Sequence, residues 1–252
     1  MKVLILGASG YLGGFIANRL SSAHALTLAD KTPLADECGR PLVRLDVTEL
    51  DQVQAACAKQ DVVVNTVALV RGRQQMPLSA FADVMVKGAW NVAEACAREG
   101  VGRLVSISSI VARGSAPASG KPSRETDAPR FQQGDLFYCL SKHLGEQIGL
   151  AYHQSHGLSV INLRPGVIAG DGANPGPRAT DCAERPWFVY VDPRDVAQAV
   201  ELSLDCPVPY GTYNIVAGRT DALYDWSSAA RDLGYCPEFN WPDIPQSWPS
   251  GS

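Results

Sequence analysis

The runs Val3-Leu4-Ile5-Leu6 and Val62-Val63-Val64 contain no polar residue. A strand with that composition is stable only where helices cover both faces of its sheet. Further short apolar runs are separated by helix-length segments, the pattern of repeated βα units around a parallel sheet. Strands are expected at 3–6, 26–29, 42–45, 62–65, 104–108 and 160–163, with helices at 11–21, 50–59, 81–98 and 136–154 between them. Residues 166–185, rich in Gly, Pro and Asp, read as loop. A helix at 193–204, a strand at 212–216, a short helix at 224–233 and an extended, partly disordered tail beyond Pro237 complete the expectation.

The turn behind the first run is Gly7-Ala8-Ser9-Gly10-Tyr11-Leu12-Gly13. Glycines between a strand and a helix let backbone amides approach a pyrophosphate at the helix N-terminus. Strand, turn and helix together therefore indicate a dinucleotide site at Gly7, Ser9, Gly10, Tyr11, Leu12 and Gly13, although the spacing is G-x-x-G-x-x-G rather than G-x-G-x-x-G. Asp30 ends the second expected strand about 17 residues after Gly13, where a carboxylate accepts the ribose hydroxyls of the adenosine and repels a 2′-phosphate. NAD is the expected cofactor, with NADP disfavoured and Lys31 leaving some tolerance for it. Asp46 and Val47 are placed to meet the adenine, and Asn65, Thr66, Val67 and Ala68 to line the groove beside the ribose. Ordinary turn chemistry is the competing account of these six.

Tyr138 and Lys142 stand one turn apart on one expected helix face. A phenol with an ordinary pKa near 10 must drop by roughly 2 to 3 units, about 3 to 4 kcal/mol, to serve as a base near neutrality. The Lys142 ammonium and the positive ring of an oxidised nicotinamide both favour the phenolate. The spacing alone is common by chance, so it gains weight from the glycine turn and the serine cluster that precede it.

Taken in order, Gly7/Gly10/Gly13, Asp30, the stretch from Val105 through Ser109 to Gly114, Tyr138/Lys142 and Leu163-Arg164-Pro165-Gly166 resemble the short-chain dehydrogenase/reductase superfamily. The resemblance covers nearly the whole chain. It is to the extended branch, the NAD-dependent epimerase/dehydratase family, and within it to small uronate-dehydrogenase-like members. It implies an α/β fold, a Rossmann-type doubly wound parallel sheet. Residues 1–165 would form the dinucleotide-binding core with the catalytic helix, and residues 166–252 a small substrate-binding extension of the same compact unit.

The activity implied by the resemblance is that of an oxidoreductase acting on CH–OH. Tyr138 would be the base, Lys142 would hold the nicotinamide ribose, and Ser109, five residues before Gly114, would orient the substrate oxygen. Ser108 is a reserve hydroxyl for a turn or the substrate. Pro165 and Val167 would border the nicotinamide carboxamide, although a proline that only ends a strand fits Pro165 nearly as well. Arg178 falls where uronate dehydrogenases place an arginine for the sugar carboxylate, a role suited to a planar bidentate donor, and a solvated loop arginine is the alternative. Val70 and Val167 replace two small hydroxyl residues of those enzymes, which admits a less polar substrate. Arg71 and Arg73 flank the same region and serve either as an anion contact or as solvated loop residues.

Only about 87 residues follow Pro165, too few for the larger lobe that holds nucleotide-sugars in this branch. Ile110-Val111 occupy positions where its dehydratases carry acids, so dehydration is disfavoured. The alternatives to a dehydrogenase are an epimerase that retains NAD and a redox-sensing dinucleotide-binding regulatory protein, the latter typically without the Tyr/Lys pair.

Bulk properties restrict the partners. With 252 residues, 46% hydrophobic, and a net charge of -4, the chain has core material but no basic field for nucleic acid, and no run long enough to span a membrane. Seven scattered cysteines fit a reducing compartment, hence the cytoplasm, better than a disulfide framework. The opening apolar run is too short for a signal peptide. Of four histidines, His153 and His156 share a helix end and are read as caps rather than metal ligands. The expected partner is a small-molecule substrate. The helices at 81–98 and 136–154 would be neighbours, their apolar positions serving core packing or a dimer seam, and a homodimer is the expected assembly.

Overall fold

In the computed structural model, β1 (Lys2–Leu6) runs through the middle of a seven-stranded sheet with four of its five residues buried. Residues 1–32, 40–70, 76–114, 122–131, 135–168, 190–218 and 223–239 are described. β1 is flanked by β2 (Ala25–Asp30) and β4 (Val62–Asn65), with Leu4 opposite both Thr27 and Val63. β3 (Leu42–Arg44) lies outside β2, while β5 (Arg103–Ile107), β6 (Ser159–Pro165) and β9 (Tyr210–Ile215) continue beyond β4. Every pairing in this sheet is parallel. The two continuously apolar runs thus form the central strands, as their composition requires.

Side chains of a strand alternate between faces, and the core divides accordingly. Val3 and Ile5 meet Ile16 and Leu20 of α1 (Tyr11–Leu20) and Val196 and Val200 of α5 (Pro193–Ser203) on one face. On the other face Leu4 and Leu6 share a cluster with Val53 of α2 (Leu50–Cys57), Val92 of α3 (Gly88–Glu99) and Tyr152 of α4 (Leu136–His156). A short α6 (Ser227–Leu233) contributes Ala229 and Leu233 to the first face.

The expected helix at 81–98 has two parts. A single turn, Leu78–Ala80, leads into a π-helical stretch, Phe81–Lys87, and only then into α3. Gly88 sits at the junction, where an added Cβ would lie 2.8 Å from Val47 Cγ2. This approach seats α3 on Val47, in the segment after β3.

In the loop expected at 166–185, Val167–Ile168 forms β7, paired with β8 (Tyr190–Val191), and residues 169–189 lie outside the described part. The tail beyond residue 239 does as well. α4 ends on Gly157 at φ 70, with His153 and His156 in its last turn, and the His153 ring donates to the Leu158 carbonyl at 2.9 Å. No helix among the described residues is long and apolar enough to cross a membrane. Among those residues Cys57, Cys96, Cys139, Cys206 and Cys236 are free thiols.

At Gly13, α1 lies against the turn that follows β1, where a Cβ would collide with the Gly7 carbonyl oxygen and sit 2.8 Å from Ala8 Cα. Gly13→Ala should push α1 off the turn and lower the melting temperature by about 3–10 °C. Circular dichroism melts measure this, and an unchanged midpoint would show that the close approach is dispensable.

Candidate active site

The strands of a parallel sheet all point the same way, so the segments leaving β1 to β6 gather at one edge. Gly7 leaves β1 at φ +81, a conformation that side-chain-bearing residues rarely adopt. A Cβ on Gly7 would come within 2.6 Å of Thr66 Oγ1. The Gly7 and Ala8 amides donate to the Ala29 carbonyl at 2.9 and 3.2 Å, and the Gly10 amide to the Gly7 carbonyl at 3.0 Å. Gly10 is the N-cap of α1 and supplies no capping side chain, so the helix end presents backbone N–H groups to an anion. Ser9 and Tyr11 stand half-buried around this turn, and Leu12 packs against the core. A bare glycine cradle of this kind fits the pyrophosphate of a dinucleotide.

Asp30, the last residue of β2, is held by two amides, from Ser9 to Oδ2 at 3.0 Å and from Thr32 to Oδ1 at 3.3 Å. The structure therefore joins the glycine turn to the acid expected at the ribose. Asp46 follows β3 and pairs with Lys31 at 2.7 Å. Burial raises its pKa, but the Lys31 contact and the Thr48 hydrogen bonds outweigh that and hold the carboxyl below its ordinary value. Val47 is buried, and its carbonyl accepts from Asn91 Nδ2 at 2.9 Å. Asn65 ends β4, and its Oδ1 accepts the Val67 amide at 3.1 Å, shaping the turn toward the half-buried Ala68.

Thr66, expected with its neighbours to line the groove, has a further part that the sequence did not show. Its hydroxyl lies 2.7 Å from the Leu6 carbonyl and 3.1 Å from that of Gly7, tying the β4 turn to the glycine turn. Its place inside the Asn65-Val67 turn was the available signal.

Tyr138 and Lys142 lie on the first two turns of α4, with Nζ 5.9 Å from the centre of the Tyr138 ring. The ammonium donates to the Ile107 carbonyl, the last of β5, at 2.6 Å. Burial lowers the Lys142 pKa to about 8, with the Glu146 carboxylate acting in the opposite sense. Ser109 is the N-cap of a 3-10 turn, Ile110–Arg113, and its Oγ accepts the Val111 amide at 3.3 Å, so the hydroxyl proton remains available to another group. Gly114 closes that turn at φ +78, where a Cβ would collide with the Arg130 carbonyl. A small cleft opens here between the β4 turn, the end of β5 and α4, with Asn65, Ser106 and Lys142 in its wall.

Ser108 is buried and donates its hydroxyl proton to Glu146, so it offers other groups only lone pairs. Glu146 in turn receives two bonds from Arg164 of β6, from Nε at 2.8 Å and Nη2 at 2.7 Å. Both ends of this bidentate pair are buried. Glu146 went unnoticed in the sequence, yet it stands four residues after Lys142, continuing the Tyr138 face of α4, and Arg164 directly follows the strand expected at 160–163 and lies within the longer β6.

Pro165 is buried at the end of β6, opposite Ile215, and Val167 is half-buried in β7. Val70 is 51% exposed. Arg71, Arg73 and Arg178 lie outside the described residues. No group of three potential metal-ligating side chains occurs among the described residues.

The sequence profile of the NAD dependent epimerase/dehydratase family matches residues 3–185. The chain is 26% identical to an L-arabinose 1-dehydrogenase (NAD(P)(+)) of Haloferax volcanii, covering 95% of this chain and 97% of that one. It is also 26% identical to a uronate dehydrogenase of Pseudomonas putida, over 94% and 84% of the two chains. Among solved structures, the uronate dehydrogenase from Agrobacterium tumefaciens superposes with a TM-score of 0.80 at 22% identity, over 95% of this chain and 85% of that one.

The charge of Lys142 is directly measurable. In protein labelled with 13Cε-lysine, one resonance should titrate near pH 8 and vanish in Lys142→Ala. Glu146→Gln removes the anion that favours the ammonium, so the titration should move down by about one pH unit. A Lys142 resonance titrating with the surface lysines would refute this electrostatic account.

Proposed function

We propose that this chain, which belongs to the NAD dependent epimerase/dehydratase family, is a dehydrogenase that oxidises a secondary alcohol or cyclic hemiacetal carbon of a small sugar-like substrate. The observation that carries the reading is Lys142, fixed on the Ile107 carbonyl beside the Tyr138 ring at the mouth of the nucleotide crevice. Bound NAD supplies the hydride acceptor. Ser109 donates to the substrate oxygen and holds it, Tyr138 takes the hydroxyl proton, and Lys142 favours the phenolate that does so. The glycine turn holds the pyrophosphate, Asp30 the adenosine ribose, and Asp46 and Val47 the adenine. Asn65, Val67 and Ala68 border the ribose groove, and Pro165 and Val167 the carboxamide.

A small substrate is supported by relatives of similar length whose names specify arabinose and uronate. Residues 166–252 form the substrate-facing part in this reading, with Arg178 assigned to a substrate carboxylate from its sequence position. Val70 and Val167 make the pocket less polar than in a uronate enzyme. Ser108 stays in the wall with its proton committed to Glu146.

A homodimer is supported by Trp90 on α3, 58% exposed, and by the exposed Phe137 and Leu144 on neighbouring α4, large apolar groups whose burial between two copies would remove them from water. Free thiols at five described positions support a cytoplasmic setting.

A screen for NADH formation over pentoses, hexoses, uronic acids and simple alcohols tests the activity. Net NADH distinguishes a dehydrogenase from an NAD-retaining epimerase, which forms none. On any substrate found, Tyr138→Phe should lower kcat by about 10²-fold or more while NAD affinity stays within about two-fold, and retained turnover removes Tyr138 from the base role. Trp90→Glu should convert a dimer to a monomer in light scattering, and an unchanged mass places the interface elsewhere.

A further inference from the structure

At the adenosine end of the crevice, two carboxylates and one ammonium are set in a fixed order. Asp30 is pinned by the Ser9 and Thr32 amides. The next residue, Lys31, has a side chain 68% exposed, and its Nζ lies 2.7 Å from Asp46 Oδ2. Asp46 is the anchored partner, because its Oδ1 accepts both the Thr48 amide at 3.0 Å and the Thr48 hydroxyl at 2.9 Å. Gln52 Oε1 accepts the Asp46 amide at 3.0 Å, fixing the backbone of the same residue. The lysine that adjoins the ribose acid is thus drawn toward the β3 turn, and the three groups together carry one net negative charge.

We propose that the Lys31–Asp46 ion pair sets the choice between NAD and NADP in this chain. With Asp46 charged and holding Lys31, these three groups present net negative charge where a 2′-phosphate would lie and favour a ribose with both hydroxyls. When Asp46 loses its charge, the set of Asp30, Lys31 and residue 46 sums to zero and Lys31 is released to meet the phosphate dianion. Asp30 is unchanged in both cases, so the preference for NAD rests on two acids rather than on Asp30 alone. Arg44, opposite Asp30 in the β2–β3 register, is the other cation at this edge and serves as the comparison. The inference rests on the dinucleotide reading of the crevice.

The test is equilibrium binding of NADH and NADPH to the full chain by fluorescence titration, which requires no substrate. Asp46→Asn keeps an oxygen for Thr48 and removes the charge. It should raise the affinity for NADPH relative to NADH by about 3- to 10-fold at low ionic strength, with the gain shrinking in high salt because the Lys31 ammonium is exposed. Any loss of adenine contact at Asp46 affects both cofactors alike and cancels in the ratio. Lys31→Ala combined with Asp46→Asn should lose most of the gain, whereas Arg44→Ala combined with Asp46→Asn should keep it. Retained NADH binding shows that each variant is folded. An unchanged NADPH/NADH ratio in Asp46→Asn, or a full gain without Lys31, overturns the proposal while leaving the dinucleotide reading intact. A wild-type chain that binds neither cofactor overturns both.

Discussion

The parallel direction of all seven main-sheet strands is the constraint on which the rest of the molecule depends. Parallel strands need crossover helices, so both sheet faces are covered and each strand discharges its following segment at one edge. Strand order reverses between β1 and β4, because the chain builds outward through β2 and β3 and then crosses to the other side of β1. A crevice forms at such a reversal. Gly7 lies on one side of it and Asn65 and Thr66 on the other, and the Thr66 hydroxyl reaches the carbonyls of Leu6 and Gly7 across it.

Two electrostatic regimes lie along that edge. At the α4 end, Lys142, Glu146 and Arg164 are buried together. Their separate desolvation is costly, and the Glu146–Arg164 pair is tolerable because both oxygens and two guanidinium nitrogens are matched. Removing one partner of such a pair typically costs about 3–5 kcal/mol, since the other charge is left buried. The pair also fastens α4 to β6, which fixes the height of Lys142 against the Ile107 carbonyl. Where β2 and β3 end, the Lys31–Asp46 pair joins an exposed ammonium to a partly buried carboxylate and is weak beside the buried set.

The strands and most helices were legible because they rest on local patterns. Continuous apolar runs mark buried parallel strands, and Gly7, Gly10 and Gly13 mark a turn that admits no side chain. Expected and observed limits of β1, β2 and β4 differ by no more than about a residue at either end, the usual uncertainty of element boundaries. The π-helical start of the segment before α3 was not legible. The close approach of Gly88 to Val47, a residue brought there by the segment after β3, is likewise non-local and shows only in the fold. Glu146 was overlooked for a related reason: a glutamate on a helix reads as a solvent-facing charge until the strand carrying Arg164 is placed beneath it.

By itself the sequence determined the class of fold and the parts of the site that lie within a few residues of one another, the glycine turn and the Tyr138/Lys142 helix face, because period and spacing are properties of the local chain. Tertiary structure alone decided which groups share protons and charge. Ser108 gives its hydrogen to Glu146, Lys142 is stripped of water on the Ile107 carbonyl, and Lys31 turns to Asp46. These partners are 38, 35 and 15 positions apart in the chain, and only the packing of strand ends into one edge brings them within the few ångströms over which hydrogen bonds and desolvation act.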